Sequence, residues 1–113
     1  MTDHAPPIVP TQTAEIVSAN ILEVEAGGTQ GGGNAGDGGR TYFRLKNSGA
    51  TAWSGRLVVG GAIYDFEDPD EIEIWLGGDT EQQTFVEALR FAADAIEGRR
   101  FPTIERNERY PRW

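Results

Sequence analysis

The chain has no cysteine and a single histidine, and these two shortages exclude much of the usual side-chain chemistry. Without cysteine there is no disulfide, no thiolate metal site and no cysteine nucleophile. The histidine, His4, lies in a proline-rich N-terminal segment, which is a poor place to build a Ser-His-Asp triad or a zinc site. We therefore predict a protein that is not an enzyme and that has no cofactor.

Long apolar runs are also missing. No stretch approaches the roughly 20 apolar residues that a membrane-spanning helix needs. The first ten residues, MTDHAPPIVP, lack the charged and apolar regions of a signal peptide. These absences predict a cytoplasmic protein that does not contact a membrane.

Positive charge is scarce and unevenly placed. The 113 residues carry 10 Lys and Arg against 18 Asp and Glu, a net charge of −8 that argues against direct nucleic-acid binding. Residues 98–113 hold five arginines and two glutamates, a balance of +3, so residues 1–97 carry −8 − 3 = −11. An acidic body with a basic, aromatic tail predicts that the tail docks on a body, and we expect a homo-oligomer.

The length predicts one folded domain with two peripheral segments. Residues 1–13 contain three prolines and no hydrophobic period, which is typical of a disordered or loosely attached arm. Residues 14–98 form the predicted single α+β domain, and residues 99–113 form the basic aromatic tail.

Hydrophobic periodicity predicts four strands and one helix. Apolar residues alternate with polar ones over several short segments, and this period of two indicates half-buried strands. The predicted strands are residues 15–26, 41–46, 56–60 and 71–76. A helix follows from Asp79–Thr80 to Gly98, with a capping box and an apolar stripe at helical spacing that includes Phe85, Leu89 and Ile96. The predicted fold is α+β: a four-stranded, mainly antiparallel sheet with the C-terminal helix packed on one face (β-β-β-β-α).

An acidic segment separates the third and fourth predicted strands. The carboxylates of residues 65–71 could hold a hard cation through oxygen ligands, but their spacing lacks the glycine and ligand order of an EF-hand. A solvated turn is the favoured interpretation.

The chain is rich in glycine, with 15 residues, and many of them lie in residues 27–39, GGTQGGGNAGDGG. Residues 31–36 match G-x-G-x-x-G, but a strand follows instead of the helix that a dinucleotide fingerprint requires. Two interpretations stay open: a flexible hairpin linker, or an ordered loop whose backbone N–H groups point at an anion.

The ordered-loop interpretation defines a candidate site on one side of the sheet. Arg40 and Arg44 would pair with phosphate or carboxylate, and Tyr42 and Trp75 would stack on a ring. Tyr42, Arg44 and Trp75 share a predicted sheet face with Glu23, Glu25 and Glu73, and Arg40 lies at the exit of the loop. The predicted ligand-binding residues are Gly33, Asn34, Asp37, Arg40, Tyr42, Arg44 and Trp75.

Four elements together resemble small uncharacterised proteins of bacteriophages and prophages: the strand at residues 22–25, the glycine loop, the R-T-Y-F-R of residues 40–44, and the late G-G-D-T-E of residues 77–81. The resemblance implies an accessory protein of the host-cell cytoplasm in a host-defence conflict, and it supplies no catalytic residues. We expect a non-catalytic binder of a small anionic ligand such as a nucleotide signal. The alternative is an acidic inhibitor that binds a host defence protein or a nucleic-acid-binding protein.

Overall fold

The computed structural model describes residues 9–29 and 39–98, which form six strands and one helix. The N-terminal eight residues, residues 30–38 of the glycine stretch and the tail at 99–113 lie outside the described part. The strands are β1 (Gln12–Val17), β2 (Ile21–Thr29), β3 (Arg40–Gly49), β4 (Ser54–Val59), β5 (Ala62–Glu67) and β6 (Glu71–Gly77), and the helix is α1 (Asp79–Ile96). The protein is mostly β with one C-terminal helix.

Four strands form an antiparallel sheet in the order β1-β2-β3-β6. Every neighbouring pair is antiparallel, and β3 lies at the centre with Leu45 opposite Val24 of β2 and Ile72 of β6. Because side chains alternate across a strand, this register places the apolar residues of β2, β3 and β6 on one face and their charged residues on the other. The sequence prediction of an antiparallel four-stranded sheet is confirmed.

The first predicted strand, residues 15–26, is in fact two strands. β1 and β2 are joined by a tight turn in which Ser18 N–H donates to Asn20 C=O at 2.9 Å. β1 begins at Gln12, so it includes the last two residues of the segment predicted as a loose arm. The prediction runs through this turn because Ile16 and Val17 before it and Ile21 and Leu22 after it resemble one continuous apolar segment.

The third predicted strand, residues 56–60, belongs to a separate hairpin and not to the four-stranded sheet. β4 pairs with β5 through a two-residue turn, Gly60–Gly61, in which both residues have positive φ (56° and 86°). Such a turn matches the twist of the strands that it joins and favours glycine at both positions. β5 includes Asp65 and Glu67, so the predicted acidic turn is shorter than the sequence indicated.

The helix is confirmed at residues 79–96, with Gly98 (φ 87°) just beyond its end. The described residues divide into two units between Gln83 and Thr84, so the first turn of α1 belongs with the sheet. In that turn Gln82 donates from its amide to Thr41 Oγ1 at 3.0 Å, which fixes the start of the helix to β3. The packing of the rest of the helix stays a prediction.

Burial is shallow throughout the described part of the chain. None of its apolar side chains is buried, and the one side chain that is buried is polar, Thr41. No helix within residues 9–29 and 39–98 is long and apolar enough to cross a bilayer. A small domain with so little buried apolar area is marginal unless another surface covers it.

Candidate functional site

The charged face of the sheet carries most of the residues that the sequence selected. Cross-strand register places Glu25, Arg44 and Glu73 in one row, and Tyr42 beside Trp75 in the next row toward the glycine stretch. Arg40 lies two residues beyond Tyr42 on the same strand, about 7 Å along it, and therefore on the same face. The predicted arrangement of this face is confirmed for the described residues.

Arg44 is the centre of an ion-pair cluster that joins three strands. Its guanidinium contacts Glu23 Oε2 at 2.5 Å and Glu25 Oε1 at 2.9 Å, both on β2, and Glu71 Oε1 at 3.2 Å on β6. Its side chain is only 12% exposed. Hydrogen bonds to Glu23 and Glu25 raise the pKa of Arg44 further above its already high value. Three carboxylates thus neutralise the positive charge of Arg44. Arg44 is therefore poorly suited to attract an anionic ligand.

Glu25 is held from two sides. Thr11 donates from its hydroxyl to Glu25 Oε2 at 2.6 Å, and Arg44 donates from Nε to Oε1 at 3.1 Å. These bonds, the one from Thr11 first, lower the pKa of Glu25 from its ordinary 4.5. The chain just before β1 is thereby fixed to the charged face.

Tyr42 and Trp75 form an aromatic pair in the next row. Their ring centroids are 5.4 Å apart and the rings are inclined at 52°. Tyr42 donates from its hydroxyl to Glu73 Oε2 at 2.6 Å, and partial burial together with this bond raises the pKa of Tyr42 to about 12. Trp75 remains 49% exposed, so part of its indole surface is open to a ligand.

Arg40 lies at the end of this face, next to the glycine stretch. Its guanidinium passes over Gly77, where an added Cβ would lie 4.0 Å from Nη1, and Nη1 donates to Gly39 C=O at 3.4 Å. Its backbone N–H donates to Thr29 Oγ1 at 3.1 Å. The position of Arg40 is therefore fixed by its strand, whereas its guanidinium lies at the rim of the sheet.

Both ends of the glycine stretch are fixed beside the start of α1. Thr29 is opposite Arg40 in the β2–β3 ladder, so the described residues on either side of the glycine-rich positions 30–38 lie side by side. At the exit, Gly39 N–H donates to Asp79 Oδ1 at 2.8 Å, and Gly39 C=O accepts from Gly78 N–H at 2.7 Å. Gly39 is buried, and a side chain there would overlap Thr29 and Asp79. This close approach explains why the stretch ends in glycine.

The helix N-terminus is linked to the glycine stretch. Asp79, the first residue of α1, accepts through Oδ1 from Gly39 N–H. Gly78 has φ 117°, a backbone conformation that favours glycine, and the carboxylate of Glu81 folds back over it. The two glycine segments that the sequence showed 40 residues apart thus meet at one end of the sheet.

The structure brings together three of the seven predicted site residues: Arg40, Tyr42 and Trp75. Arg44 lies one row away within its carboxylate cluster, and Gly33, Asn34 and Asp37 fall outside the described residues. Sequence reasoning missed the roles of Glu73, Gly39 and Asp79. The glycines before Asp79 mark this segment in the sequence as a place of close backbone approach. The contact of Asp79 with Gly39 cannot be predicted from them, because it depends on the pairing between β3 and β6.

Two further findings bear on the chemistry of the site. Within residues 9–29 and 39–98, no three histidine or carboxylate side chains are grouped so that they could hold a metal ion. Comparisons with protein-family models, with curated proteins and with solved structures gave no match. The resemblance to small phage proteins therefore stays a prediction.

Proposed function

We propose that this protein is a non-catalytic binder of a small anionic ligand, most simply a nucleotide. The proposed site is the end of the charged face at which Arg40, Tyr42 and Trp75 lie beside the two fixed ends of the glycine stretch. The observation that carries the proposal is this juxtaposition of a half-exposed indole and a cation with a glycine-rich segment.

Trp75 supplies the surface for a planar ring. Its indole is supported by Tyr42, which is itself oriented by Glu73, so the ring that a ligand would meet is held in place. Stacking of a base on an aromatic side chain contributes about 1–3 kcal/mol and tolerates different bases. This surface favours a nucleotide over a simple inorganic anion.

Arg40 supplies the charge. A charge-assisted hydrogen bond to a phosphate contributes about 1.5–3 kcal/mol. Successive glycines can point several backbone N–H groups at the same anion. We include Gly33, Asn34 and Asp37 in the proposed site from the sequence alone. Asn34 and Asp37 would bind the ribose or the edge of the base.

Arg44 has a different role in this proposal. Because three carboxylates surround it, it fixes the relative position of β2, β3 and β6 and so supports the row that holds Tyr42 and Trp75. It is a positioning residue and not an anion ligand.

The phage-type accessory role in the cytoplasm, including an anti-defence function, is proposed from the sequence resemblance alone. The competing proposal is that the acidic surface binds a host protein as an inhibitor. The two differ in which residues matter: Arg40 and Trp75 for a ligand site, and the carboxylates Asp65, Glu67, Asp68 and Asp70 for an acidic inhibitor.

Isothermal titration with a nucleotide panel tests the proposal. The probes are 5′-AMP, 3′,5′-cyclic AMP and a cyclic dinucleotide, with adenosine and inorganic phosphate as the two halves of the ligand. Arg40→Ala should weaken binding by about one to two decades. Lys46→Ala is the matched control, because it removes the same charge from the same face about 20 Å away along β3.

Two outcomes would contradict the ligand proposal. One is a panel in which no nucleotide produces binding heat or a thermal shift. The other is an equal loss of affinity in Arg40→Ala and Lys46→Ala, which would indicate only a general electrostatic effect. Either result would favour the inhibitor proposal.

A further inference from the structure

The β4–β5 hairpin lacks a partner in the four-stranded sheet. Within the described residues its strands pair only with each other. Its base is fixed by two hydrogen bonds, from Asp68 N–H to Trp53 C=O at 3.0 Å and from the Trp53 indole N–H to Pro69 C=O at 2.7 Å. A two-stranded hairpin is marginally stable at best in water, so this one needs a further surface to pack on.

Alternation gives the hairpin two unlike faces. One face, which we name the uncharged face, carries six residues without a charge: Gly55, Leu57, Val59, Ala62, Tyr64 and Phe66. The opposite face carries the ion pair between Arg56 and Asp65 at 2.7 Å, with Val58 and Ile63 near the turn.

The uncharged face is open. Leu57 and Tyr64, which are opposite each other in its middle, are both 55% exposed, and Val59 beside the turn is 54% exposed. Phe66 packs its ring over Gly55 and continues the same apolar row. Monomeric proteins seldom leave such a contiguous apolar surface in water unless it contacts another molecule.

We propose that the uncharged face packs against the same face of a second copy of this chain. The charge distribution favours this occupant. Each copy carries a net charge of −8, so two copies repel wherever their charged surfaces meet, and a face without charge is a surface on which they can meet. An apolar row is also complementary to itself about a two-fold axis.

The open area of the uncharged face limits the size of the contact between two copies. The open part of the uncharged face amounts to roughly 300–400 Å² per copy, against about 800 Å² per partner in a stable complex of standard size. The contact therefore belongs with weak, reversible interfaces, and dimerisation should depend on concentration. Self-association is thereby assigned to the hairpin.

Sedimentation velocity between about 1 and 200 µM tests this assignment. The wild-type chain should shift from 12.3 kDa toward twice that mass as concentration rises. Leu57→Lys places a charge in the middle of the uncharged face and should remain a monomer over the whole range. Val58→Lys is the matched control: it places the same charge on the neighbouring residue, which is 60% exposed on the opposite face, and should dimerise as the wild type does.

A cross-linking experiment keeps the proposal testable if the lysine variants unfold the hairpin. Because the chain has no cysteine, a single introduced thiol reports its own position. Under oxidation, Leu57→Cys should yield a disulfide-linked dimer in the full-length protein, and Val58→Cys should yield several-fold less. A wild-type protein that is monomeric at 200 µM, or equal cross-linking at both positions, would overturn the proposal.

Discussion

Asp79 accepts a hydrogen bond from the backbone N–H of Gly39 at 2.8 Å, so the first residue of α1 holds the last residue of the glycine stretch. Gly78 completes the contact by donating its N–H to Gly39 C=O. Through these two bonds the proposed ligand loop is coupled to the start of the helix and to the strand that carries Arg40.

We expect Asp79→Ala to loosen the exit of the glycine stretch, because it removes the acceptor for Gly39 N–H. Loss of such a side-chain acceptor at a helix N-terminus costs about 1 kcal/mol. Hydrogen exchange at the Gly39 amide should accelerate in Asp79→Ala. Asp79→Asn keeps an oxygen acceptor and should retain most of the protection. Unchanged exchange in the alanine variant would show that this bond does not fix the loop.

Arg44→Met should lower the melting temperature by about 5–10 °C, because it leaves Glu23, Glu25 and Glu71 close together without their shared cation. Arg56→Met is the control. The Arg56–Asp65 pair is short but both side chains are well exposed, so its loss should change the melting temperature by less than about 2 °C. Similar melting temperatures for the two variants would contradict a structural role for the Arg44 cluster.

The lowered pKa of Glu25 predicts that the stability of the fold depends on pH in the acid range. Its pKa is lowered in the folded state by Thr11 and Arg44, so its ionised form stabilises the fold at pH values above the ordinary pKa of 4.5. That contribution is lost as the pH falls through the lowered folded-state pKa. Glu25→Gln should therefore melt at a lower temperature than the wild type at pH 7, and the difference should shrink below pH 4.5. Parallel melting curves over this range would contradict the assignment.

The raised pKa of Tyr42 predicts a separate phase at high pH, which we call the late phase, in the alkaline titration of the tyrosines. Partial burial and the hydrogen bond to Glu73 raise its pKa to about 12, so its phenolate should form well after that of an ordinary tyrosine. Ultraviolet absorbance of the phenolate should show this phase in the wild type and lose it in Tyr42→Phe. Glu73→Gln should move it to lower pH. A late phase that persists in Tyr42→Phe would belong to another tyrosine.

The helix, β6 and the central part of β3 could be predicted from the sequence, because their patterns are regular. Residues 71–76 alternate strictly between charged or aromatic and aliphatic side chains, and the helix has both a glycine boundary and an apolar stripe. β5 is absent from the prediction because Asp65 and Glu67 adjoin Asp68–Pro69–Asp70, and this run of carboxylates indicates one acidic turn. In the hairpin Asp65 pairs with Arg56 across the strands, and the period of two continues through it.

The composition of the candidate site was predictable only in part. Alternation placed Arg44 on the same face as Glu23 and Glu25, but it gave no strand order. Only the position of β3 between β2 and β6 reveals that carboxylates from both neighbours reach Arg44. The contact between Gly39 and Asp79 depends on the same order, because residues 40 apart in sequence meet there through the pairing of Arg40 with Gly77.

Chemical-shift mapping by ¹H–¹⁵N NMR tests the central claim most directly, with 5′-AMP or a cyclic nucleotide as the probe. Binding at the proposed site should shift the indole N–H of Trp75 and the backbone amides of Gly39, Arg40 and Gly77, and leave the amides of the β4–β5 hairpin unchanged. The same titration of Arg40→Ala should give much smaller shifts at equal ligand concentration. Perturbations confined to the hairpin or to the acidic residues 65–70, or no perturbation at millimolar ligand, would contradict a ligand site at this end of the sheet.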